Sequence, residues 1–173
     1  MSNGVKYLLA GIAVVAMGFV TMGLLHPTVK CQTQTEISVP PDYVFNSITD
    51  TSLMKQWFNG LQSVKAEIPD KKYILKLIQK DKTMDLVLTY DTLKPNSSCV
   101  FSFDSEVYSS DYNLTLSGDS LRTTLHVQTV TRGKNIFLRS MFALSRPYFQ
   151  QQQDSMFSRF KNVVENNYSF QRK

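Results

Sequence analysis

Cysteine and histidine are scarce in this chain of 173 residues, with two of each. Two cysteines exclude a disulfide-dense miniprotein and a four-cysteine zinc module. Two histidines, His26 and His126, leave little for a histidine-rich metal centre. Seven glycines and six prolines exclude collagen-like and low-complexity classes. No G-x-S-x-G elbow, phosphate-cradling glycine loop or dinucleotide fingerprint occurs, so no enzyme signature and no cofactor are expected. Charged residues make up 19% and apolar residues 42%, which supports a packed core and argues against disorder.

The longest apolar run lies at the start. Val5 to Leu25 carries a single charge, Lys6, at its edge. Twenty-one residues at 1.5 Å each cover about 31 Å, the thickness of a bilayer's hydrocarbon core. A cleavable signal peptide would have a shorter apolar region ending at a small-x-small site, and Gly23-Leu-Leu-His-Pro27 offers none. The expectation is a membrane anchor over residues 1–27 and one domain over 28–173. Lys6 and the amino terminus against Lys30 slightly favour the domain on the non-cytoplasmic side of a single-pass membrane protein.

Net charge is +5, and its excess sits late: residues 132–173 hold eight basic and two acidic groups. Clustered cations attract anionic lipid or nucleic acid. No nucleic-acid motif accompanies them, so nucleic acid is not an expected partner. The plain alternative is a solvated helix face.

Along the domain, Val29, Cys31, Thr33, Thr35, Ile37 and Val39 alternate as a half-buried strand. Pro40-Pro-Asp42 ends it and opens a short helix with Val44, Phe45 and Ile48 at helical spacing. Asp50 or Thr51 caps a second, carrying Leu53, Met54, Trp57 and Phe58. Strand-like runs follow at 61–68, 72–80, 83–92, 98–107, 111–117 and 121–131, separated by Pro69-Asp70, Asp81-Lys82, Lys94-Pro-Asn96, Ser109-Ser110 and Gly118-Asp119. Connections this short make antiparallel hairpins. Met84, Leu86, Leu88 and Tyr90 share one face, as do Cys99, Phe101 and Phe103; Tyr112, Leu114 and Leu116; and Leu121, Leu125 and Val127. Asn135 is a helix cap, and residues 136–166 read as helix broken or kinked at Pro147. Its later half carries a stripe of Phe149, Met156, Phe160 and Val163, widened by Phe157 and Val164.

Glu36-Ile-Ser-Val-Pro-Pro-Asp-Tyr-Val-Phe45, Asp50, Trp57, and Arg139-Ser-Met-Phe-Ala-Leu144 with the amphipathic Phe149–Val164 segment carry a family resemblance. This order of elements resembles the helix-grip fold of the START-like, SRPBCC superfamily, nearest its polyketide cyclase/dehydrase and lipid-transport-like branch. The resemblance implies an α+β fold: a curved seven-stranded antiparallel sheet (β-α-α-β6-α) wrapped around a long C-terminal helix, here preceded by one transmembrane helix. It also implies a cavity for a hydrophobic small molecule or lipid. The inward faces supply apolar lining candidates: Trp57, Tyr73, Leu88, Tyr90, Phe101, Phe103, Tyr112, Leu125, Met156 and Phe160. The same residues suit an ordinary packed core. Tyrosine adds a hydrogen-bonding tip to an apolar ring. His126 falls on the polar face, no carboxylate pair is fixed by spacing, and no metal site is expected. Three functions stay open: a non-catalytic ligand-binding domain, a cyclase- or dehydratase-type enzyme, and a protein-interaction module of the co-chaperone or stress-response kind. Cys31 and Cys99 either pair or remain buried thiols.

Overall fold

A computed structural model describes residues 3–79 and 82–171. The turn expected at Asp81-Lys82 falls partly outside them, at Asp81, as do Arg172 and Lys173 of the basic C-terminal segment. The chain begins with α1 (Asn3–Leu25), then β1 (Val29–Ile37), α2 (Pro41–Thr49) and α3 (Thr51–Trp57). Six strands follow: β2 (Leu61–Ile68), β3 (Lys72–Gln79), β4 (Lys82–Lys94), β5 (Ser98–Asp104), β6 (Tyr108–Gly118) and β7 (Thr123–Gly133). Two helices close it, α4 (Ile136–Leu144) and α5 (Arg146–Gln171). The strands form one antiparallel sheet in the order β1-β7-β6-β5-β4-β3-β2. Only β1 pairs far from its sequence neighbour, so α2 and α3 carry the chain from one sheet edge to the other.

Local chemistry sets the boundaries. Pro41 is the first residue of α2, where its missing amide costs nothing. The Asp50 carboxylate accepts the Ser52 amide at 2.7 Å and starts α3. Asp70 and Asn96 take left-handed backbone angles, φ 57° and 62°, in the two turns that Pro69-Asp70 and Lys94-Pro-Asn96 mark. Asn135 accepts the Leu138 amide at 2.9 Å and caps α4. Pro147 does not kink one helix: the chain breaks at Ser145, and the proline sits in the first turn of α5.

Two expectations change. The break between β5 and β6 is not at Ser109-Ser110, which lie inside β6, but at residues 105–107. There the Ser105 hydroxyl accepts the Val107 and Tyr108 amides at 3.3 and 3.1 Å and donates to the Tyr108 carbonyl at 3.0 Å. Leu121 is 66% exposed rather than inward. Asp119 accepts the Leu121 and Arg122 amides, which holds Leu121 in the turn before β7.

One face of the sheet packs on α5, which at 26 residues is about 39 Å long. The buried stripe of α5 is Gln153, Phe157, Phe160 and Val164; Met156 and Val163 flank it half-buried. A smaller cluster of Val29, Cys31 and Phe142 joins α4 to the start of β1. Both cysteines are buried free thiols.

Candidate functional site

All ten lining candidates come together on the inner side of the sheet. Trp57, Leu88, Tyr90, Phe101, Phe103, Leu125 and Phe160 belong to one buried cluster, with Tyr73, Tyr112 and Met156 half-buried against it. They do not share one environment. Leu88, Leu125 and Phe160 expose none of their surface. A side chain bordering a void large enough for water would keep some surface against it, so these three are packed core in this conformation. Tyr90 is likewise enclosed, and its hydroxyl reaches the Ile48 carbonyl oxygen at 3.4 Å.

The aromatic members form a continuous chain of rings. Trp57 meets Phe160 and Phe58 edge-on at 5.2 and 5.9 Å between centroids. Phe58 meets Phe103 at 5.4 Å, Phe103 meets Tyr112 at 5.4 Å, and Tyr112 stacks on Phe101 at 5.0 Å with 10° between planes. Phe101 continues through Tyr90 to Tyr73. Phe58, Tyr112 and Met156 are half-buried and keep some surface free of packing.

Beside this chain lies a neutral polar group that sequence reading missed. The Ser110 and Thr131 hydroxyls pair at 2.7 Å, and Thr129 Oγ1 donates to Gln153 Oε1 at 2.5 Å. Ser110, Thr129, Thr131 and Gln153 are all buried. A glutamine four residues from both Phe149 and Phe157, inside an apolar helix stripe, was the available signal. Burial raises the Tyr112 phenol above its ordinary value, reinforced by Tyr108 and Cys31, so it remains a neutral donor across the physiological range. Every buried polar side chain among the described residues is uncharged. His126 is exposed on the outer face.

Two donors at the α3–α5 junction have no acceptor. Trp57 Nε1 and Arg159 Nε are buried atoms without a hydrogen-bond partner among the described residues. Arg159 precedes Phe160, the residue on which Trp57 packs, and with Asn59, Gln152, Asp154, Ser155 and Ser158 it lines a shallow polar depression. An unsatisfied buried donor costs about 1–3 kcal/mol.

No protein-family model matches the sequence, and no curated protein does. Solved structures match over most of the chain. A START superfamily protein from Mycobacterium smegmatis aligns with TM-score 0.61 at 10% identity, over 80% of this chain and 96% of that one. The fold is the helix-grip fold. A conserved protein from Geobacillus kaustophilus has TM-score 0.66 at 12% identity, over 80% of this chain and 96% of that one. Ara h 8.0201 has TM-score 0.62 at 12% identity, over 79% of this chain and 97% of that one. The helix-grip sheet and closing helix span residues 29–171 here, and α1 precedes them. The closing helix is α5 alone; Arg139–Leu144, taken with it from the sequence, belongs to the separate α4.

Proposed function

We propose that this chain is a membrane-tethered, non-catalytic helix-grip domain that binds an amphipathic lipid or similar apolar molecule between the sheet and α5. Residues 1–27 are its anchor and residues 28–173 its domain, on the non-cytoplasmic side of a single-pass protein. Helix α1 is long and apolar enough to cross a membrane, by length and composition.

The observation that carries the reading is the buried Trp57 indole N–H, without a partner among the described residues and set between Phe58 and Phe160 in an aromatic chain. An apolar body would lie along Phe58, Phe103, Tyr112 and Met156. Its hydrogen-bond-accepting head would take the buried Trp57 donor. Because Leu88, Leu125 and Phe160 are closely packed, loading requires α3 and α5 to part, and these core residues line the site only once they do. The neutral buried polar groups favour binding over acid–base chemistry.

Trp57 is the only tryptophan and so reports directly on the site. Titrating the full chain in detergent with a dansyl-labelled fatty acid should give saturable energy transfer from Trp57, competed by unlabelled fatty acid. Native mass spectrometry should show co-purified lipid that survives removal of the micelle. An absence of both saturable transfer and retained lipid would overturn the reading.

A further inference from the structure

Helix α1 does not stand apart from the domain. Its last turns lie along α4, running in the same direction. Phe19 packs on Phe137 with ring centroids 5.4 Å apart, and Gly23 lies against Ser140. A methyl group on Gly23 would overlap the Ser140 hydroxyl and come within 2.8 Å of the Ile136 carbonyl oxygen. Small residues permit such close helix approach.

Helix α4 is amphipathic in an unusual sense. Ser140 and Phe142 are buried toward α1 and the sheet, whereas Phe137, Met141 and Leu144 are 62%, 40% and 58% exposed. The spacing of four and three residues puts these three on one face. Isolated exposed apolar residues need no explanation, but a stripe continuous with a larger apolar surface does. Phe137 borders the same groove as Leu8, Ile12 and Val15 of α1, so the stripe extends the anchor's own surface.

Resting on the proposal that α1 is a membrane anchor, we infer that α4 is a second membrane-inserted element, descending beside α1. Its Phe137–Met141–Leu144 face inserts into the outer acyl region beside α1 and holds the β1–α4 end of the domain against the bilayer. The depth agrees with this. Phe137 sits level with Phe19, six residues before the end of α1, or about 9 Å down. That depth is within the outer half of a hydrocarbon core about 30 Å thick. The cations fit as well. Arg146 and Lys30 lie beside His26 and Leu25 at the end of α1, at the level of the headgroups. The basic residues directed at the membrane are therefore these, not the C-terminal pair at Arg159 and Lys161, which lie 13 and 15 residues along α5 from Arg146.

The test uses the full chain reconstituted in phosphatidylcholine–phosphatidylglycerol vesicles, with single added tryptophans at Phe137→Trp, Leu144→Trp and Ile12→Trp. Trp57 is buried and provides a constant background. Emission is read with lipids brominated near the headgroup end or near the chain terminus. The inferred arrangement gives strong quenching of Trp at 137 and 144 by the shallow bromines, and of Trp at 12 by the deep ones. Quenching at 12 alone, with red-shifted emission at 137 and 144, overturns the inference and leaves the anchor standing. Blue-shifted but unquenched emission at 137 and 144 shows that protein covers the stripe instead, and also overturns it. No quenching at any position removes the anchor and the inference together.

Discussion

The side-chain amide of Gln153 bridges two strands: its Oε1 accepts from Thr129 of β7 at 2.5 Å, and its Nε2 donates to the Thr33 hydroxyl of β1 at 3.0 Å. One turn earlier, Gln150 accepts the Gln32 amide at 3.2 Å and donates to the Gln32 carbonyl at 2.7 Å, covering the open edge of β1. Glu165 accepts the Ser38 amide at 2.7 Å farther along. Helix α5 is thus held to the edge strand by directional bonds as well as by apolar packing, and the edge is capped at Gln32 and Ser38.

Replacing Gln153 by Ala should therefore destabilise the domain by about 1–3 kcal/mol, because the buried Thr129 hydroxyl loses its acceptor. Gln150→Ala, at an exposed pair of bonds, should cost less, about 1 kcal/mol. Urea unfolding of the full chain in detergent, followed by circular dichroism, measures both. Equal effects from the two substitutions would contradict a buried bridge at Gln153.

Trp57→Phe separates binding from stability. The substitution removes a donor that has no acceptor among the described residues but also shortens a buried ring, so stability should fall modestly, by about 1–2 kcal/mol. Affinity for the labelled fatty acid, read by competition against a polarised fluorophore, should fall about fivefold to tenfold, equivalent to one hydrogen bond. A large loss of stability with unchanged affinity would mean that Trp57 serves only the core.

Gly23→Val should separate α1 from α4 while leaving the sheet intact, since Gly23 contacts Ser140 and Ile136 of α4. Cysteines introduced at Phe19 and Phe137 should cross-link in the parent chain and much less in the Gly23→Val background. Efficient cross-linking in both would show that the crossing does not depend on close approach at this glycine.

Alkaline pH should destabilise the domain. Burial raises the Cys99 thiol to about 12 and also raises the Tyr90, Tyr108 and Tyr112 phenols. Between the ordinary thiol and phenol range, about 8.5–10, and those raised values, the unfolded chain has released protons that the native chain still holds. Stability is then complete below that range and falls as pH rises through it, by up to about 1.4 kcal/mol per pH unit for each such group. Denaturation midpoints measured from pH 7 to 11 should be flat at first and then decline; a midpoint that rises above pH 9 would contradict enclosed phenols and thiol.

Much of the fold is legible in the sequence because its signals are local. Alternation in Met84–Tyr90 and Cys99–Phe103, left-handed turn residues at Asp70 and Asn96, and caps at Asp50 and Asn135 each act within a few residues. The Ser105 turn escaped because a serine closing bonds to its own neighbours looks, in sequence, like any polar residue in a strand. Composition and periodicity also determined the apolar α1 and the aromatic inner face. Only the tertiary structure decided which of those aromatics are sealed and which stay half-open. It also decided that Gln153 spans two strands and that α4 lies along α1. These outcomes depend on contacts between residues more than twenty positions apart, whose geometry is fixed by packing the whole sheet against α5 rather than by any local preference.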